Sequence, residues 1–209
     1  TLLSLLRTDQ RRGKFVEGLA RLKGVDLQAP ENQNLRALVR ATATDQHAQF
    51  RKKSSVASLK IAEAYYVRVL SALGTAPSTG EKAELQMYLA EVRAARGDKS
   101  GALALYREVA AGQDPKYQKA ATLQWVASAR GREFVEAADA LASQDATGVE
   151  AREARLRAAE QLAGKREGAA EALQRAESLA KDVPDSAQGV VAARLWLQLL
   201  GDARPRSSE

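Results

Sequence analysis

The sequence predicts an all-α fold, a solenoid of about five helix-turn-helix repeats closed by a C-terminal capping helix. Three observations predict it. The composition favours helix throughout: the chain is rich in Ala, Leu, Arg and Glu, poor in aromatics at 5%, and holds only five prolines in 209 residues. Apolar residues recur at helical spacing in segment after segment, and no stretch alternates long enough to read as a strand. The turn glycines Gly97, Gly131 and Gly164 stand 34 and 33 residues apart, which marks a repeated unit.

The elements follow in order. Leu2, Leu3, Leu5 and Leu6 supply the apolar side of a first helix, Gly13 lies in a polar turn, and Phe15, Val16, Leu19 and Leu22 recur at helical spacing in a second. Pro30 closes this unit. From Asn34 the pattern loosens: Leu35, Leu38 and Val39 start a helix that either continues through the polar run ATATDQHAQFRKKSS or is broken within it. Beyond that run, Leu59, Ala62, Tyr66, Val69 and Leu70 define an amphipathic helix ended by Gly74, Pro77, Ser78 and Gly80. At least one of Tyr65 and Tyr66 belongs in a core.

The clearest pair runs from Ala83 to Pro115, with Leu85, Tyr88, Leu89, Val92 and Ala95 on one helix. Asp98 caps the next, which carries Ala102, Leu105, Tyr106 and Val109. A further pair carries Ala121, Leu123, Trp125, Val126 and Ala129, then Phe134, Ala137, Ala138 and Leu141 after Gly131. The last pair places Ala154, Ala158 and Leu162 before Gly164, and Ala169, Leu173, Ala176 and Leu179 after it. Asp185 or Ser186 then caps a terminal helix whose stripe Val190, Val191, Leu195, Trp196 and Leu199 covers the last repeat face. The expected organisation is one repeat domain over 1–201, irregular over 1–79, regular over 80–184 and capped over 185–201, with a flexible tail over 202–209.

On these residues the chain resembles the tetratricopeptide repeat family, a 34-residue helix-turn-helix unit. Five or six residues after each turn stands a small residue, Gly18, Ala102, Ala137 or Ala169, and four residues later a bulky one, Leu22, Tyr106, Leu141 or Leu173. A small side chain lets paired helices approach, and a large one a turn later fills the adjoining groove. The interval from Gly13 to Gly97 is 84 residues, so one further repeat lies between them with an insertion or long helices around Ala41–Val56. The family's first-helix Trp and Leu-Gly pair are mostly absent. The Ala- and Arg-rich style is also similar to that of bacterial repeat proteins, including tetratricopeptide-like domains of cell-envelope assembly factors.

The resemblance implies a right-handed superhelix and a non-catalytic scaffold whose first helices line a concave groove for a partner peptide or helix. The groove candidates are then Arg40, Gln86, Arg93, Gln124 and Arg157. The Lys/Asn/Arg clamp that grips chaperone C-terminal tails does not line up here. Self-association is a second way to use such a surface.

Charge supplies the alternative reading. Net charge is +6, but residues 1–70 hold 13 Lys/Arg against 6 Asp/Glu while residues 71–209 hold 19 against 20. A basic patch of Arg51, Lys52, Lys53, Lys60 and Arg68 makes the first third a candidate adaptor for an anionic surface or nucleic acid, the latter disfavoured because exposed stacking aromatics are few.

Chemistry is thin. There is no Cys and a single histidine, His47, which reads as exposed and idle in its polar run. No nucleophile stands at a recognisable spacing from it, the carboxylates occur singly, and the pair Glu81 and Glu84 reads as helix-surface charge. The turns GDKSG and GKREG lack the phosphate-loop spacing. No enzyme activity, metal or cofactor is expected. No run reaches the roughly 20 apolar residues a membrane helix needs, so the chain reads as soluble, in cytoplasm or periplasm alike. A start at Thr1 leaves room for an upstream signal, anchor or domain.

Overall fold

The computed structural model describes residues 1–75, 78 and 80–203; Pro77 and the end of the expected tail, 204–209, lie outside the described residues. Among the described residues every regular element is helical: α1 Leu2–Arg11, α2 Phe15–Arg21, α3 Gln33–Lys53, α4 Val56–Leu73, α5 Gly80–Ala95, α6 Lys99–Ala110, α7 Pro115–Ser128, α8 Arg132–Gln144, α9 Val149–Ala163, α10 Ala169–Asp182 and α11 Ala187–Ala203. The helices pack in neighbouring pairs. No described helix is long and apolar enough to cross a membrane.

Helix ends follow the local sequence. The Asp98 carboxylate accepts from the Gly101 amide at 2.9 Å, satisfying a free N–H at the start of α6 and holding the Asp98 pKa below its usual value. Gly97 enters that turn at φ +86°, a left-handed conformation that glycine adopts without steric cost. Ser55 caps α4, and Ser186 rather than Asp185 caps α11, its hydroxyl accepting from the Gly189 amide at 2.9 Å.

The polar run after Val39 does not break its helix. α3 is continuous for 21 residues and α4 for 18, so the surplus length between Gly13 and Gly97 resides in long helices and in the loop before Pro30. The run stays helical because its polar residues point inward: Thr42, Gln46 and His47 are all buried, and the Thr42 hydroxyl donates to the Leu38 carbonyl at 2.8 Å.

The chain divides into two compact units, Thr1–Ala121 and Thr122–Glu209. In the first, α1 pairs with α2, α3 with α4 and α5 with α6, and α4 packs on α5. Its core runs through Leu22, Leu27, Leu35, Leu59, Tyr66 and Leu85. Both Tyr65 and Tyr66 are buried. The Tyr65 hydroxyl donates to the Phe15 carbonyl at 2.8 Å, tying α4 to the start of α2, and burial beside Asp9 pushes its pKa up to about 12.

Gly18 is the point of closest approach between these helices, since a Cβ there would stand 2.9 Å from the Tyr65 hydroxyl and 3.3 Å from a Leu6 methyl. Gly18→Leu is therefore expected to overpack this crossing and destabilise the unit by about 1–3 kcal/mol. A urea titration that leaves the midpoint unchanged would refute the close approach.

The second unit is assembled through small residues. Ala137, Ala138, Ala158, Ala172 and Ala176 are fully buried where α8, α9, α10 and α11 meet. Ala137 and Leu141 occupy the expected crossing positions, but in α10 Ala169 is exposed and Ala172 takes its place. The reason is a short 3-10 turn, Arg166–Gly168, inserted between Gly164 and α10, which shifts the register. The terminal helix differs too: Gly189 and Ala192 are its buried residues, Leu195, Trp196 and Leu199 are half-buried, and Val190 and Val191 face outward.

Candidate functional site

A groove of about 440 Å³ lies between α3 and α5 in the first unit. On the α3 side, Arg36, Arg40 and Thr44 follow one another at intervals of one turn, with Ala37 and Ala41 leaving open space between them. On the α5 side stand Glu81, Glu84 and Tyr88. The two helices run parallel, as the order of their cross-contacts requires: Arg40 reaches Glu81 and Glu84, while Arg51, three turns on, reaches Glu91.

Charge on the walls is largely matched. The Arg40 guanidinium donates to Glu81 at 3.4 Å and also to Glu84, and the Tyr88 hydroxyl donates to Glu84 at 3.2 Å. Burial, followed by the charge of Glu84, raises the Tyr88 pKa. Lys116, on the first turn of α7, is held above its usual pKa first by the Tyr117 hydroxyl and in part by Glu84, so the start of α7 belongs to the same side. Arg36 makes no ion pair or hydrogen bond within the described residues, which leaves one guanidinium in the groove for a ligand.

Beneath the groove lies an aromatic cluster. The rings of His47, Tyr66 and Tyr88 stand 6.0–6.2 Å apart, with His47 edge-on to both tyrosines. His47 is thus buried, not exposed as its polar neighbours in the chain suggest. Its Nδ1 is 3.5 Å from the Tyr66 hydroxyl and its Nε2 is 3.7 Å from a Glu91 oxygen. Burial, reinforced by the Arg51 charge, lowers its pKa to about 4, so it is neutral at pH 7 and its approach to Glu91 is not an ion pair there. A tautomer carrying the proton on Nε2 suits both neighbours: Nδ1 accepts from Tyr66, and the N–H faces the carboxylate.

The groove contains one of the five residues expected to line it, Arg40. Gln86 is buried on α5, its carboxamide oxygen accepting from the Ser78 hydroxyl at 2.6 Å. Arg93 turns toward α4, where it and Arg96 hold Glu63. Gln124 and Arg157 belong to the second unit; both are exposed, and Arg157 lies 4.9 Å over the Phe134 ring.

The basic patch is likewise split. Arg51 is neutralised by Glu91, and Arg68 donates to the Leu22 carbonyl at 3.0 Å and to the Val25 carbonyl, closing the end of α2. Lys52, Lys53 and Lys60 remain exposed around the α3–α4 turn. Glu81 and Glu84, expected as helix-surface charge, and Tyr88, expected on an apolar stripe, instead line the groove, together with Arg36 and Thr44, which the sequence did not single out. The one-turn spacing of Arg36, Arg40 and Thr44, opposite Leu35 and Val39, was the signal for them.

The fold and groove define an all-helical protein with helices packed in neighbouring pairs and a polar cleft between the first helices of two such pairs. No protein-family model matches the chain, and no curated protein matches it.

Proposed function

We propose that this protein is a non-catalytic, tetratricopeptide-like scaffold that binds a partner peptide or helix in the α3–α5 groove. In this reading its hairpins form a right-handed solenoid of about five repeats with α11 as the cap. One observation carries it: α3 and α5, the first helices of successive hairpins, face each other across an open, charged groove that ends on a tyrosine. An extended segment or a single helix meets such a surface with its side chains. Arg36 offers a bidentate site for a carboxylate, and the Tyr88 ring a flat contact at low entropic cost.

Thr44→Trp fills the groove from a half-buried wall position without entering the core. Capture of the tagged full-length protein from its own cells, with quantitative identification of what accompanies it, is expected to lose its main partner by tenfold or more in this variant, on the order of 1.4 kcal/mol. Equal recovery with both forms refutes a groove-centred mode.

A further inference from the structure

We propose that the step where the α1–α2 hairpin stops short of the α3–α4 hairpin is a docking ledge for an acidic amphipathic helix of a partner protein. This surface is separate from the α3–α5 groove and does not depend on it.

The step follows from helix lengths. Gln10, next to the last residue of α1, lies beside Thr42 of α3 around a small cavity, yet α3 continues to Lys53. At 1.5 Å per residue that continuation is about 15 Å. Tyr65 of α4 meets Phe15 at the start of α2, and α4 begins nine residues earlier, at Val56, an overhang of about 13 Å. A helix with its side chains is about 10–12 Å across. The ledge is thus one helix deep.

Its chemistry is directional. Arg12 and Lys14, in the α1–α2 turn, form the tread; Lys53 and Gln49 stand on the α3 riser on the face that Thr42 presents to α1. All four are exposed, and none of the three cations enters an ion pair within the described residues, whereas Arg40 and Arg51, which face α5, are each paired with a glutamate. Asp45 is the one acid on the overhanging part of α3. On the α4 riser, Ile61 and Ala57 continue the Tyr65 face at one-turn intervals, the first half-exposed and the second exposed.

An apolar strip bordered by unmatched cations fits a helix with Leu-type residues on one side and Glu or Asp on its flanks. Nucleic acid would use the cations but leave the strip unused, and the ledge carries no fully exposed aromatic on which bases could stack.

The test uses the full chain and a labelled synthetic peptide of roughly five helical turns, with Glu on one face and Leu on the other. Its competitors are the same residues in a non-amphipathic order, a DNA duplex and phosphatidylglycerol vesicles. Fluorescence anisotropy is expected to give the amphipathic peptide about tenfold or greater preference over its scrambled form. The double variant Lys14→Glu/Lys53→Glu, and separately Ala57→Glu at an exposed site, are each expected to weaken it about tenfold, while Thr44→Trp leaves it unchanged. Lack of saturable binding, equal binding of the scrambled peptide, tighter binding of DNA or vesicles, or indifference to the charge reversals overturns the proposal. Loss of binding in Thr44→Trp assigns the peptide to the groove and overturns the ledge alone.

Discussion

Replacing Tyr66 with alanine is expected to destabilise the first unit by about 3–5 kcal/mol, the range for removing a fully buried aromatic ring. Tyr66 has no solvent exposure and stands where three helices converge: on α4, against His47 of α3 and Tyr88 of α5. Little on any side can collapse into the space, because Ala62 and Val69 on its own helix and Val39 on α3 are themselves fully buried. Tyr66→Phe keeps the ring and forfeits only a long hydrogen bond of 3.5 Å, so its cost is expected near the lower end of the usual 0.5–1.5 kcal/mol, that is, about 0.5. Urea denaturation of the two variants separates packing from polarity. Similar losses would mean that the hydroxyl, not the ring, holds this junction.

The second large effect is a dependence on pH that a single residue controls. The folded pKa of His47 is about 4 against an ordinary 6.5, so the fold favours the neutral ring. Between those values the unfolded chain takes up a proton that the folded chain refuses, and stability falls as pH falls. It is whole above pH 6.5, declines through the window, and levels off below pH 4 once the folded ring is also protonated. The expected loss from pH 7 to pH 5 is roughly 2 kcal/mol, over a range where most carboxylates stay ionised. The chain has one histidine, so the attribution is direct: His47→Gln is expected to flatten the profile. A wild-type profile as flat as that of the variant would place His47 in contact with water.

The α5–α6 hairpin was legible because each local signal agreed with the next: an apolar stripe, a left-handed glycine at Gly97, a cap at Asp98 and a small crossing residue at Ala102. α3 was not, because hydropathy reads Thr42, Gln46 and His47 as surface while packing makes them interior. The polar character of that buried face reflects what lies against it: a tyrosine hydroxyl and Glu91. Counting from Gly164 places the small crossing residue at Ala169, and a three-residue turn with no distinctive composition moves it to Ala172.

In the groove, Arg40 follows from the expectation that first helices line the inner surface. Glu84 reads as surface charge because a carboxylate on a helix has the same sequence appearance whether it meets solvent or an arginine forty-four residues earlier in the chain. The same ambiguity separated Arg51 and Arg68 from the basic patch: pairing with Glu91 and capping of α2 both depend on helices distant in sequence. Long-range partners decide which charges remain available, and they leave Arg36 in the groove and Lys52, Lys53 and Lys60 at the hairpin tip.

The central claim is that a partner segment lies between α3 and α5. Its most direct test is photocrosslinking in the native cell with a benzophenone amino acid placed at Gln33, exposed at the end of the groove, or at Arg107, exposed on α6. The expected result is a discrete crosslinked protein from position 33, no such product from position 107, and loss of the product when Arg36 is reversed to glutamate. Equal crosslinking from both positions, or none from the groove, would contradict it.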